Sequence, residues 1–150
     1  MQIRAFAVAD TEAVLALWQA CDLLRPWNDP RRDIERKLTV HPELFLLGTR
    51  ASPSGEQIVA SAMFGYDGHR GWLNYLGVHP HCQRQGLAAQ LMAHGQALLL
   101  QRGCPKLNLQ VRADNAAVLA FYQKLGFQAD PVASLGRRLI DDQAAATPPN

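Results

Sequence analysis

The chain changes hydrophobic rhythm several times, and each change marks an element. Residues 3–9, IRAFAVA, alternate apolar with other side chains, the period-two rhythm of a strand. Asp10 then stands where an N-cap would, and Val14, Leu15, Leu17, Trp18 and Cys21 fall at helical spacing on one face. A second helix is expected to start at Asp29-Pro30, a cap followed by a first-turn proline, with Ile34 and Leu38 on its buried side. From there the rhythm shortens. LFLLGTR (44–50) and QIVASAMFGY (57–66) read as strands around the turn-forming run ASPSGE, and DGHRG leads into a third, WLNYLGV (72–78).

Residues 87–102 return to a strong helical pattern, closed by Gly103. KLNLQVR (106–112) reads as a strand with Leu107, Leu109 and Val111 on one face. Asn115 caps a further helix that stops at Leu125-Gly126, and strands are expected from Phe127 and around 135–140. The tail from Asp141 has no periodicity and is expected to be loose. Helices, then a meander, then a strand-helix-strand unit predict an α+β domain over 1–140. Its central sheet should be mixed and mostly antiparallel, with strands 72–78 and 106–112 parallel because a helix joins them.

Composition narrows the class without naming it. At 150 residues, 48% hydrophobic and 19% charged, the chain has the make-up of one folded domain. A net charge of +2 argues against a nucleic-acid partner. The one basic cluster, Arg31, Arg32, Arg36 and Lys37, interleaves with Asp33 and Glu35 as a solvated helix face does. Three scattered cysteines form no Cys-x-x-Cys pair, which argues against a metal site and suits a reducing compartment. Arg4, Asp10 and Glu12 interrupt the apolar core that a signal peptide needs, and no apolar run approaches the roughly 20 residues of a membrane helix. A cytoplasmic protein with no membrane partner is the expectation.

The chemically suggestive stretch is HPHCQRQGLA (79–88), between a strand and the first turn of the long helix. Helix N-termini carry unpaired N–H groups and the positive dipole end, so they attract anions. Gly86 permits close backbone approach, Ala88 is small, and Gln83, Arg84 and Gln85 bring polar groups and one cation. Spacing alone also fits a glycine placed at the turn for steric reasons.

Two motifs together carry a family resemblance. Gln-x-x-Gly-x-Ala at 83–88, following LGVHP, resembles the acyl-CoA signature of the GNAT superfamily of N-acyltransferases. NAAVLAFYQKLGF (115–127) resembles the helix that follows it there, with Asn, Tyr seven residues on, then Leu-Gly-Phe. CDLLRPWNDP, GYDGHRG and SLGRRLI further resemble a bacterial branch of predicted acetyltransferases, the YpeA type. The resemblance spans residues 2–140 and implies the GNAT fold. It implies acetyl-CoA as acyl donor, with its pyrophosphate on the backbone amides of Arg84, Gln85, Gly86, Leu87, Ala88 and Ala89. The pantetheine arm would pair with backbone near Leu76, Gly77 and Val78, and strand 106–112 would splay from its neighbour to make room. Where this chain has Gln83 and Ala88 the family often has Arg and Gly, alternatives that both occur in its motif.

Acyl transfer to an amine needs a neutral amine, a stabilised carbonyl oxygen and an acid for the departing thiolate. A backbone N–H near Leu76 or Gly77 fits the oxygen. By the resemblance Tyr122 is the acid, its alternative being packing with Leu119, Phe121 and Leu125. Asn115 is either a simple helix N-cap or does both, its side chain also touching the cofactor arm. No carboxylate lies on strand 72–78, so Asp67, His69, His79 or a water chain are the candidates for base. Cys82 reads as a small residue beside the cradle, since direct attack needs no covalent intermediate. The loop bearing Arg25, Trp27, Asn28 and Asp29 is either the acceptor side or simply packed, with Trp27 buried.

The expected function is therefore acetyl transfer from acetyl-CoA to a primary amine of a small molecule or protein, by direct attack and without a metal; a homodimer is left open. A competing hypothesis is an acyl-CoA-binding regulatory protein without transfer, motivated by the missing strand carboxylate and opposed by Tyr122. A domain with no cofactor at all is the third.

Overall fold

The computed structural model describes residues 1–143, so of the tail expected from Asp141, residues 144–150 lie outside the described residues. Contacts divide the chain into two units, Met1–Leu109 and the stretch from Gln110.

The first unit is built on a five-stranded sheet in sequence order: β1 (Gln2–Ala5), β2 (Phe45–Ser52), β3 (Gly55–Tyr66), β4 (Gly71–Val78) and β5 (Leu107–Leu109). The first three pairings are antiparallel and β4–β5 is parallel, so the sheet is mixed and mostly antiparallel. Its helices are α1 (Thr11–Ala20), α2 (Pro30–Leu38) and α3 (Leu87–Gln101).

Alternation along β3 assigns the helices to faces. Ser61 receives a hydrogen bond from Trp18 of α1, and Met63 belongs to a buried cluster with Phe6, Val14, Trp18, Ile34, Phe45 and Leu47. Phe64, next along β3 after Met63 and so on the opposite side, faces α3, where a Cβ on Gly95 would lie 2.2 Å from its ring. Thus α1 and α2 cover one face and α3 the other. Phe6 stacks on Phe45 at 4.6 Å and Trp18 on Tyr75 at 3.9 Å between ring centroids. Burying each such large side chain contributes roughly 1.5–3 kcal/mol.

The N-terminal segment differs from the pattern. β1 ends at Ala5, and a short 3₁₀ turn, Val8–Asp10, precedes α1. Asp10 does not cap α1: its carboxylate accepts the Ala7 N–H at 2.8 Å and pairs with Arg4 at 2.7 and 2.9 Å. At α2 the expected start holds, for Asp29 accepts from the amides of Arg31 (3.0 Å) and Arg32 (3.2 Å) with Pro30 at the first position. Lys37 departs from the solvated-face expectation. It is buried, and desolvation holds its ammonium below the ordinary lysine pKa.

The unit from Gln110 contains α4 (Ala116–Lys124), capped by Asn115 accepting the Val118 N–H at 3.2 Å and stopped at Gly126, φ +90°. The strands expected from Phe127 and around 135–140 do not form among the described residues. A strand requires a ladder partner, and Pro131 and Gly136 weaken this stretch further. Val132, Leu135 and Leu139 are 77%, 92% and 89% exposed, so their apolar alternation buries nothing here.

Candidate functional site

The site begins with an irregularity in β4. Ser61 pairs with Gly77 and Met63 with Asn74, so Tyr75 and Leu76 together stand opposite Ala62 alone. This is a β-bulge, and Tyr75 takes φ +51°, left-handed backbone unusual for a bulky residue. On the other side, β4 pairs with β5 only through Leu73↔Leu109. The strand expected at 106–112 is therefore three residues long. A bulge sharpens local twist, and the parallel ladder ends just before it. From Asn74 to Val78 no strand pairs with that side of β4 among the described residues.

Immediately beyond β4 the chain makes the turn that the sequence marked. His79 begins a short 3₁₀ turn, Pro80–Cys82, its Nδ1 accepting the His81 N–H at 3.3 Å. Residues 83–86 are exposed, Arg84 has φ +60° and Gly86 has φ +76° as the residue before α3. Leu87, 3% exposed, anchors the first turn of α3, with Ala88 and Ala89 half-buried beside it. A Cβ on Gly86 would meet no atom within 4 Å, so the glycine answers to its φ and not to packing, and the space above it is open.

The polar side chains at the rim are partly committed. Gln83 Nε2 donates to the Val78 carbonyl at 3.1 Å, tying the turn back to the end of β4. Gln85 Oε1 accepts from Arg50 Nη2 at 2.7 Å. Arg50 was not legible as a site residue. It lies on β2, 35 positions before Gln85, and only the sheet register brings a second cation near Arg84.

The other candidates sort clearly. Asp67 Oδ1 accepts the amides of His69 (2.8 Å) and Arg70 (2.7 Å); the Arg70 bond first, then that of His69, holds its carboxyl below the usual aspartate range. Asp67 and His69 therefore build a turn, and His79 caps one. Cys82 is half-buried, 3.9 Å from Arg50 Nη1. In the α1–α2 connection, Arg25 Nη1 donates to the carbonyls of Asp22 (2.9 Å) and Leu24 (2.7 Å), which holds it within its own loop. Trp27 is 43% exposed and not buried. The same connection passes close to β4: a Cβ on Gly77 would lie 2.8 Å from Leu23 and 3.2 Å from Cys21. A carboxylate does reach the bulge, from α2. Tyr75 Oη donates to Asp33 Oδ2 at 2.5 Å, and Arg36 pairs with Asp33 Oδ1 at 3.1 Å.

In the second unit, Asn115 and Tyr122 share α4, the asparagine engaged as its cap. Tyr122 is 9% exposed, with Phe121 and Phe127 edge-on to its ring at 5.1 and 5.5 Å. Burial pushes its phenol up to about 12, so it remains protonated at neutral pH.

Comparison with known proteins agrees with this fold. The model of the acetyltransferase (GNAT) family matches residues 12–127. An acetyltransferase of Yersinia enterocolitica is 54% identical over 143 residues, covering 95% of this chain and 99% of that protein. The solved ribosomal-protein alanine N-acetyltransferase of Escherichia coli is 28% identical with a TM-score of 0.69, over 85% of this chain and 77% of that one. The PaiA N-acetyltransferase of Thermoplasma acidophilum, solved with coenzyme A, is 15% identical with a TM-score of 0.76, over 88% and 92%.

Proposed function

The chain belongs to the acetyltransferase (GNAT) family, and on that footing we propose that it moves the acetyl group of acetyl-CoA to a primary amine by direct attack. The observation that carries this reading is the junction of β4 with α3. The edge of β4 past the end of its ladder with β5 runs into an exposed turn, with left-handed backbone at Arg84 and Gly86, at a helix N-terminus. A pantetheine arm carries amide groups that can extend a sheet edge, and a pyrophosphate suits free helix N–H groups. The amides of Arg84, Gln85, Gly86, Leu87, Ala88 and Ala89 would hold the phosphates, with Arg84 and Arg50 supplying positive charge. Leu76, Gly77 and Val78 would pair with the arm, and Gln83 would hold the turn to β4.

In the transfer step the neutral amine nitrogen forms a bond to the thioester carbon and gives up a proton to water, the C–S bond breaks, and the sulfur leaves with a proton from the acid, which water restores. The N–H of Leu76 would stabilise the carbonyl oxygen as charge develops. The Tyr122 hydroxyl would protonate the thiolate, and a phenol kept neutral by burial is in the right form to do so. Asn115 would position α4 as its cap. The exposed Trp27 and the α1–α2 connection near Gly77 favour that side for the amine, from a small molecule or a protein. Three free thiols suit the reducing cytoplasm as its place of work.

Titration calorimetry with CoA and acetyl-CoA, followed by free-thiol release across a panel of amines and peptides, tests the proposal. Saturable CoA binding and amine-dependent thiol release are expected. A folded protein that binds neither nucleotide would exclude this donor.

A further inference from the structure

Resting on the donor reading above, we propose that Trp18 and Ser61 form a buried strut that aims the Leu76 amide at the thioester oxygen. Trp18 Nε1 donates to Ser61 Oγ at 2.9 Å, and Ser61 Oγ donates to the Tyr75 carbonyl at 3.1 Å. Trp18 and Ser61 are fully buried, so the bond between them does not compete with solvent, and the bond from Ser61 to Tyr75 is part-buried. In a trans peptide, C=O and the following N–H point opposite ways, and none of the peptide bonds among the described residues is cis. Holding the Tyr75 carbonyl toward Ser61 therefore holds the Leu76 N–H away from β3. On that side the ladder with β5 has already ended at Leu73.

The bulge alone would leave this peptide unit free to rotate, because Tyr75 and Leu76 lie outside the regular pairing. Tyr75 is clamped by other contacts instead. Ser61 takes its carbonyl, Trp18 stacks on its ring at 3.9 Å, and Asp33 accepts its hydroxyl at 2.5 Å. Left-handed backbone at a tyrosine persists only where its surroundings over-determine it, and these contacts do so. Trp18 and Ser61 are thus positioning residues: they touch no substrate and act through one peptide plane.

The test needs no acceptor. Calorimetry gives the ratio of acetyl-CoA to CoA affinity, and ¹⁵N NMR gives the Leu76 amide shift on adding each. In Ser61→Ala the ratio should fall about two- to tenfold, the range for one lost hydrogen bond. The acetyl-specific Leu76 shift should disappear while CoA affinity holds within about twofold. Trp18→Phe keeps the stacked ring, removes the N–H, and should give a smaller change of the same kind; it decides the matter if Ser61→Ala does not fold. An unchanged ratio and shift in a folded variant would overturn the strut, as would equal losses for both nucleotides. Wild-type protein that binds no CoA would instead sink the donor reading.

Discussion

The turn at 83–89 and the helix α4 offer two ways of making a site, and they differ in what they ask of the chain. At the turn the proposed working groups are main-chain amides, and the side chains mostly secure the loop: Gln83 to Val78, Gln85 to Arg50. On α4 the proposed working group is one phenol, held by the Asn115 cap of its helix and by the flanking rings of Phe121 and Phe127. A site made of backbone is broken by changing conformation. A site made of a side chain is broken by deleting an atom, with the fold left alone.

Tyr122→Phe is the sharpest form of that contrast. It removes the hydroxyl and keeps the ring between its two aromatic neighbours. General acid help is typically worth about 10²–10⁴-fold, and solvent protonation of an exposed thiolate favours the lower end. Single-turnover transfer should therefore slow by about 10²-fold with CoA affinity and melting temperature near wild type. Unchanged chemistry would return Tyr122 to packing.

Gly86→Glu attacks the backbone side. The position has φ +76° and open space above it, so the variant should fold, with a conformational penalty of about 1–2 kcal/mol. A carboxylate in a pyrophosphate site should reduce CoA affinity by more than about tenfold. Gly86→Ala carries the same φ penalty without the charge, and the difference between the two, read by calorimetry, isolates repulsion from strain.

Smaller effects test the edges of the comparison. Trp27→Ala, at an exposed ring, should raise acceptor KM several-fold and spare CoA binding; equal effects on both would remove it from the acceptor side. Asn115→Ala removes a helix cap and should cost about 1 kcal/mol, read in denaturant unfolding. The raised phenol makes a pH prediction with a definite sign. Below about pH 10 the proton is bound in folded and unfolded chains alike; between about 10 and about 12 only the folded chain holds it. Stability should therefore fall across that window, and Tyr122→Phe should lessen the fall.

What the sequence made legible follows from how far each feature reaches along the chain. The turn at 83–89 and α4 are contiguous stretches, so spacing and caps located them as elements and the family resemblance marked them as a candidate site. The helices α2 and α3 were visible because Asp29-Pro30 and Gly103 punctuate periodic runs. By contrast, Arg50 beside Gln85, Asp33 on Tyr75 and Trp18 on Ser61 depend on register between strands and on which helix covers which face. Hydrophobic rhythm carries no such information. It also misled at 127–140, where Leu135 and Leu139 are spaced like a strand face but meet no ladder. The bulge was invisible for a related reason: Tyr75 and Leu76 look like ordinary strand residues until their partners are known.

Gly95 has a mechanical consequence. The missing side chain lets α3 rest directly on Phe64, whose ring is fully buried and has nowhere to retreat. The first turn of α3 begins eight residues earlier, a lever arm of about 12 Å. Any wedge under mid-helix would therefore tip the far end, lifting the row of amides away from the end of β4 without touching a single one. The tolerance of the proposed donor site is set at a point that carries no chemistry. In Gly95→Ala, CoA affinity should fall out of proportion to the loss of stability, a failure of alignment at a distance.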